Sequence, residues 1–244
     1  MLGKIMKDGK TLILAYDQGL EHGPSDFDEK NVNPEYILKI AKEGKFNAVA
    51  FHKGIAEKYR ELIKTPLVLK LNGKTNISKE DPISPTVCSV EEAVKLKADA
   101  IGFTLYIGSE YEYKIFEEFA KVQKEARRKH LPIITWIYPR GKAVGKNEGK
   151  YMAYAARVGL ELGADIIKIK YNGNARDLAW AVENAGKAKV VIAGGVKSKE
   201  SKLLNQVREI MDAGAAGMAI GRNIWQAKDP IGITERIQKI IWRR

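Results

Sequence analysis

The chain has 244 residues, of which 45% are hydrophobic and 30% charged, a composition that excludes a disordered polymer and supplies a core for one large α/β domain. Its formal charge of +12, from 42 basic against 30 acidic residues, is compatible with nucleic acid, an anionic substrate or a generally basic surface. Basic residues are scattered among glutamates, as across residues 117–130, instead of forming a run with interleaved aromatics, which disfavours a dedicated nucleic-acid binder.

Residues 1–10 hold no apolar stretch of the signal-peptide kind, and no later apolar run is long enough to cross a bilayer. A cytoplasmic protein with no membrane partner is expected. Cys88 is alone and cannot form an internal disulfide, and three histidines with one cysteine show no metal-ligand spacing.

In chain order, apolar segments at 12–17, 48–52, 67–71, 100–105, 133–138, 166–171, 190–194 and 217–220 read as strands. Helical patterns follow them near 34–43, 54–63, 90–97, 110–129, 148–162, 175–186, 200–213 and 230–242. In the fourth of these, Ile115, Phe119, Val122 and Ala126 keep helical spacing with charged residues opposite. Strand then helix, eight times over, predicts a single-domain (β/α)8 TIM barrel spanning 1–244. Four stretches share one grammar, a small or polar helix end followed within about three residues by a buried strand. They begin at Gly44, Lys97, Gly163 and Gly214, before the even-numbered strands, so each marks a quarter of an eight-stranded barrel.

The reactive groups of such a barrel stand at the C-terminal strand ends. Strand 6 carries Ile166-Ile167-Lys168-Ile169-Lys170-Tyr171, with both lysines on one face of an apolar segment. Desolvation and a like charge each lower a lysine pKa, and a neutral lysine is the nucleophile that attacks a carbonyl. An edge strand with solvated lysines is the alternative reading of these six residues.

Strand 1 ends in Asp17, either a turn former ahead of Gly19 or the group that orients the lysine or moves a proton. Strand 5 ends in Tyr138, either a half-buried aromatic before Pro139 or a proton-transfer group, with Trp136 as a pocket wall. His22 and His52 read as core or loop residues satisfied by hydrogen bonds, and Cys88, without a base beside it, as inert. Strands 7 and 8 end in Gly194-Gly195 and Gly221-Arg222, where backbone amides and a guanidinium suit a phosphate.

These segments resemble the archaeal-type class I fructose-1,6-bisphosphate aldolases along nearly the whole chain. The likeness rests on Ala15-Tyr16-Asp17-Gln18-Gly19-Leu20-Glu21-His22-Gly23-Pro24, Gly54-Ile55-Ala56-Glu57-Lys58, Lys70-Leu71-Asn72-Gly73-Lys74-Thr75 and Trp136-Ile137-Tyr138-Pro139-Arg140-Gly141. Lys168-Ile169-Lys170-Tyr171, Gly194-Gly195 and Gly221-Arg222-Asn223 complete it. The resemblance implies that Lys168 forms the Schiff base, Tyr138 donates and accepts the proton, Asp17 is its charged neighbour and Trp136 lines the pocket. It further implies that Gly194, Gly195, Gly221 and Arg222 bind one phosphate, that neither metal nor cofactor is needed, and that the protein forms homo-oligomers, often decamers. Where the family commonly has Asp-His-Gly, this chain has Asp17-Gln18-Gly19; Gln18 cannot titrate, which bears on substrate binding and leaves the lysine chemistry alone.

The expected reaction is reversible cleavage of fructose 1,6-bisphosphate to dihydroxyacetone phosphate and glyceraldehyde 3-phosphate. Lys170 is expected to lower the pKa of Lys168, and the second phosphate falls to Lys70, His22 or Arg140. Two rivals stand beside it. One is the related 2-amino-3,7-dideoxy-D-threo-hept-6-ulosonate synthase, which keeps the lysine and the barrel, although Glu21-His22-Gly23-Pro24 looks more like the aldolases. The other is a basic nucleic-acid-binding module.

Overall fold

The structure is a computed structural model that describes residues 2–146 and 148–243. Eight strands close into a barrel in sequence order: β1 (Thr11–Ala15), β2 (Ala48–His52), β3 (Leu67–Lys70), β4 (Ala100–Ile107), β5 (Ile133–Pro139), β6 (Ile166–Ile169), β7 (Lys189–Ala193) and β8 (Gly217–Ile220). All neighbours are parallel, and β8 returns to β1 with Gly217 beside Thr11. The helices are α1 (Gly19–His22), α2 (Pro34–Glu43), α3 (Lys53–Lys58), α4 (Val90–Lys95), α5 (Glu112–Arg128), α6 (Glu148–Glu161), α7 (Ala175–Asn184), α8 (Glu200–Asp212), α9 (Arg222–Trp225) and α10 (Pro230–Ile241). None among the described residues is long and apolar enough to cross a membrane.

Strands buried on both faces must be apolar on both, which is why they appear in the sequence as unbroken apolar runs. Their outward residues meet the helices; Phe103 of β4, for example, packs on Phe119 of α5 at 5.4 Å between ring centroids. Inward residues form a separate core in which Ile13, Val68, Ile134 and Val191 of odd strands alternate with Ala48, Ala50, Ala100 and Ala219 of even ones. The small residues leave room for a few long side chains higher in the barrel. Below, Ile5 and Met6 close the opposite end, held by Thr11 Oγ1 donating to the Ile5 carbonyl at 2.6 Å. Nothing in the sequence pattern marked this plug.

The repeated grammar has a physical basis in two parts. Lys45, Lys97, Gly163 and Gly214 all adopt positive φ, the left-handed residue that ends a helix and releases its last carbonyls. His130 and Gly186 do the same before β5 and β7, so this part is not confined to even strands. The part that is confined to them is the next polar residue. Asn47, Asp99 and Asp165, just before β2, β4 and β6, accept from the backbone N–H of Leu12, Leu67 and Ile133 at 2.8, 3.0 and 2.8 Å. Each even unit thereby caps the first N–H groups of the odd strand before it. In the fourth copy Ala216 has no such side chain, and only its backbone N–H reaches the odd strand before it, donating to the Val190 carbonyl at 2.7 Å.

Several predicted elements change. The strand predicted over 12–17 ends at Ala15, because Tyr16 turns outward to donate to the Asn31 carbonyl at 2.7 Å. The helix predicted over 54–63 breaks at Tyr59 (φ −114°, ψ 16°) and resumes as a 3₁₀ turn, Arg60–Leu62. The strand predicted over 166–171 stops at Ile169, placing Lys170 beyond it.

Candidate active site

The C-terminal ends of the strands enclose a cleft of about 870 Å³, its open mouth included. Lys168, beside Trp136 of β5 and Val191 of β7 in the sheet register, points into the barrel and is 5% exposed. Its Nζ stands 4.8 Å from the centre of the Trp136 ring. Burial pushes its pKa down, with Asp17 and Glu21 acting in the opposite direction.

A second inward lysine comes from β3. Lys70 is 3% exposed, and its Nζ lies 5.2 Å from the same indole. It donates to the Asn72 carbonyl and Asn72 Oδ1, both at 3.0 Å, and to Thr104 Oγ1 at 2.6 Å. Asn72 is itself locked: Nδ2 donates to the Ser84 and Thr104 carbonyls, and Oδ1 accepts from Thr104 N at 2.7 Å. Burial and the Lys168 charge both lower the Lys70 pKa.

This arrangement corrects the lysine pair read from the sequence. Lys170 follows the strand end, is exposed, and places its Nζ 5.8 Å from the Tyr138 ring at the cleft mouth. Burial is the largest cause of the Lys168 shift. The like charge that meets Lys168 inside the barrel is Lys70, brought there by β3. Lys70 also ceases to be a candidate for the second phosphate, since its three protons already have oxygen acceptors.

Tyr138, Asp17 and Trp136 line the same cleft. Burial and then Asp17 push the Tyr138 phenol above its ordinary range, while Arg140 acts to lower it. Arg140 lies 5.0 Å over the Tyr138 ring and 5.8 Å from Tyr106, and donates to Glu21 Oε1 at 2.7 Å. His52, read as satisfied by hydrogen bonds, lines the cleft with a buried Nδ1 that makes no hydrogen bond. Burial, seconded by Lys70, lowers its pKa to about 4.

Opposite, the loops after β7 and β8 form one wall. A Cβ on Gly221 would lie 2.4 Å from the Ala15 carbonyl oxygen, and Gly195 has φ 67°, so glycine suits both places. Asn223 ties the loops together: Nδ2 donates to the Gly194 and Val196 carbonyls at 2.7 and 2.9 Å, and Oδ1 accepts from Ser198 N at 2.9 Å. Arg222 Nη1 is 3.4 Å from Asp26 Oδ1, and the same carboxylate meets His22 Nδ1 at 2.6 Å. Gly194, Gly195, Gly221, Arg222 and His22 thus all face the cleft.

No group of three His, Cys, Asp or Glu side chains that could hold a metal occurs among the described residues. Cys88 is buried away from the cleft, and burial pushes its thiol up to about 12. The Lys70–Asn72–Thr104 clasp, the Arg140–Glu21 pair and Asp26 were not assigned from the sequence. A lysine and an asparagine two apart at a strand end were the only trace of the first.

The sequence model of the DeoC/LacD family aldolase matches residues 11–227. The class 1 fructose-bisphosphate aldolase of Thermoproteus tenax is 48% identical over 238 residues, covering 96% of this chain and 90% of that one. A crystal structure of an archaeal fructose 1,6-bisphosphate aldolase superposes with a TM-score of 0.95 at 46% identity, covering 100% of this chain and 98% of its own. A second archaeal aldolase structure, whose catalytic Lys is covalently bound to the carbinolamine intermediate of the substrate, gives 0.94 at 45% identity over 99% and 97%. With a family match over most of its length and a relative this similar from end to end, the chain belongs to the DeoC/LacD family of aldolases.

Proposed function

We propose that this protein is a class I aldolase that reversibly cleaves fructose 1,6-bisphosphate through a Schiff base on Lys168. The observation that carries the reading is a buried amine, depressed by its surroundings, in one cleft with a phenol and a carboxylate. Relatives at 48% and 42% identity are class 1 fructose-bisphosphate aldolases, in accord with it.

The neutral Lys168 amine adds to the C2 ketone, and proton transfer gives a carbinolamine. Tyr138, a neutral phenol because burial and Asp17 raise it, donates its proton to the departing hydroxyl. Water leaves, and an iminium and a phenolate remain. The Arg140 guanidinium over the Tyr138 ring favours that phenolate. The phenolate then takes the C4 hydroxyl proton, the C3–C4 bond breaks, and its electron pair moves into the iminium to form an enamine. Glyceraldehyde 3-phosphate departs. Tyr138 returns the proton to C3, and water releases dihydroxyacetone phosphate.

Arg222 and the amides of Gly194, Gly195 and Gly221 hold the C1 phosphate, on the strength of their common wall. The far phosphate falls to Arg140 and His22, at the mouth with Lys170. Self-association into homo-oligomers and a cytoplasmic setting belong to the same reading, and light scattering on the purified chain tests the first. Borohydride with fructose 1,6-bisphosphate should leave a stable adduct on Lys168, seen by intact and peptide mass. Loss of activity on chelation, with no adduct, would overturn the reading.

A further inference from the structure

Two polar side chains of the cleft have no part in the proposed reaction. Gln18 follows Asp17 at the start of α1 and makes no side-chain cap there, and its Nε2 is buried without a hydrogen bond among the described residues. His52 ends β2, which pairs in parallel with β1 so that Ala50 lies beside Ala15; the two residues therefore stand at neighbouring strand ends. Its Nδ1 is likewise buried and unbonded. Both side chains line the cleft, as does Gly73, where a Cβ would stand 2.9 Å from His52 Cε1 and 3.4 Å from its Nε2. The outer atom of each, Gln18 Oε1 and His52 Nε2, is neither buried nor hydrogen-bonded among the described residues. Orphaned polar atoms cost stability, and a fold keeps that cost where the same groups serve a ligand.

The Asp17 and Lys70 carbonyls favour a protonated His52, but burial outweighs them and the imidazole is neutral. Its single proton belongs on Nε2, the nitrogen with access to a partner, since Nδ1 has none. The pair then offers the cleft one donor, His52 Nε2–H, and one acceptor, Gln18 Oε1, which is the complement of a hydroxyl. On the aldehyde half of fructose 1,6-bisphosphate the C4 hydroxyl falls to Tyr138 and the far phosphate to Arg140 and His22, leaving the C5 hydroxyl without a partner. We infer that Gln18 and His52 are specificity-determining residues: His52 Nε2–H donates to the C5 hydroxyl oxygen, and that hydroxyl donates to Gln18 Oε1. The inference rests on the Schiff-base reading above and adds which aldehyde the site selects, because this hydroxyl is the C2 hydroxyl of glyceraldehyde 3-phosphate. Gln18 is also where the chain departs from the Asp-His-Gly common in the family, so the pairing belongs to this chain's own residues.

The test is condensation of dihydroxyacetone phosphate with two aldehydes, glyceraldehyde 3-phosphate and 3-hydroxypropanal phosphate, which lacks only that hydroxyl. The wild type should prefer the first in kcat/KM by roughly thirtyfold or more, the discrimination that two neutral hydrogen bonds supply. In Gln18→Met and in His52→Leu the ratio should fall by about fivefold each, one hydrogen bond being lost. A merely structural role would lower both rates together and leave the ratio in place. If His52→Leu does not fold, Gln18→Met, at a partly exposed position, decides alone. A ratio unmoved in either folded variant, or a wild type that takes both aldehydes equally, overturns this inference and leaves the Schiff-base reading standing, since borohydride still traps dihydroxyacetone phosphate on Lys168. Absence of both condensation and adduct in the wild type overturns both.

Discussion

Arg140 lies over the face of Tyr138, its guanidinium carbon 5.0 Å from the ring centre, while its Nη1 holds Glu21 at 2.7 Å. A cation placed there favours a phenolate over a phenol, and in the proposed reaction Tyr138 must pass through the phenolate. Arg140→Met removes that stabilisation and frees the Glu21 carboxylate to oppose it. A loss of about 1–2 kcal/mol corresponds to a kcat lower by roughly five- to thirty-fold. Steady-state kinetics separate this from a phosphate contact, which would appear in KM instead.

Gly102 on β4 makes the space in which the Trp136 indole lies. A Cβ there would stand 2.5 Å from Trp136 Cζ3 and 3.0 Å from Lys70 Cδ. Gly102→Ala should cost about 1–3 kcal/mol through overpacking, read from urea denaturation. Because the indole packs beneath both amines, the folded variant should also lose activity, measured in the cleavage direction at saturating substrate.

His52 links stability to acid. Its pKa falls from 6.5 in the unfolded chain to about 4 in the fold, so the unfolded state binds the proton first as pH drops. Its contribution is therefore present above pH 6.5 and is lost as pH falls through the window down to about 4, amounting to about 3 kcal/mol. Urea melts of the wild type and His52→Gln at pH 7 and pH 4.5 check this. The variant should lose less stability across the interval.

Asp165 serves the opposite end of the barrel. Its carboxylate accepts from Arg127 Nη1 at 2.8 and 3.0 Å and from Ile133 N at 2.8 Å. Asp165→Ala leaves that N–H and the guanidinium short of an acceptor, and should destabilise by about 2–3 kcal/mol. The cleft is at the other end of β6, so kcat at 25 °C should stay within about twofold; a larger loss would mean that the two ends of the strand are coupled.

The barrel was legible because periodicity is a local property. Eight apolar runs with helices between them, and the Asn or Asp before three even strands, specify both the elements and the closure. That Lys168, Tyr138 and Asp17 face one cleft was legible for a related reason, since residues at strand ends of a closed barrel converge wherever they lie in the chain. The same logic placed the glycines after β7 and β8.

The basic neighbour of Lys168 inside the barrel was not legible. Two residues of spacing suggested Lys170, but β6 stops at Ile169 and the side chain turns to the mouth. Lys70, about a hundred positions earlier in the chain, meets Lys168 across the barrel because β3 and β6 aim inward at one height, and Gly102 leaves room for the indole between strands. Sequence by itself determined which side chains could carry the chemistry. Only the tertiary structure decided which of them share a desolvated space, because burial and through-space charge depend on distance in three dimensions and not along the chain.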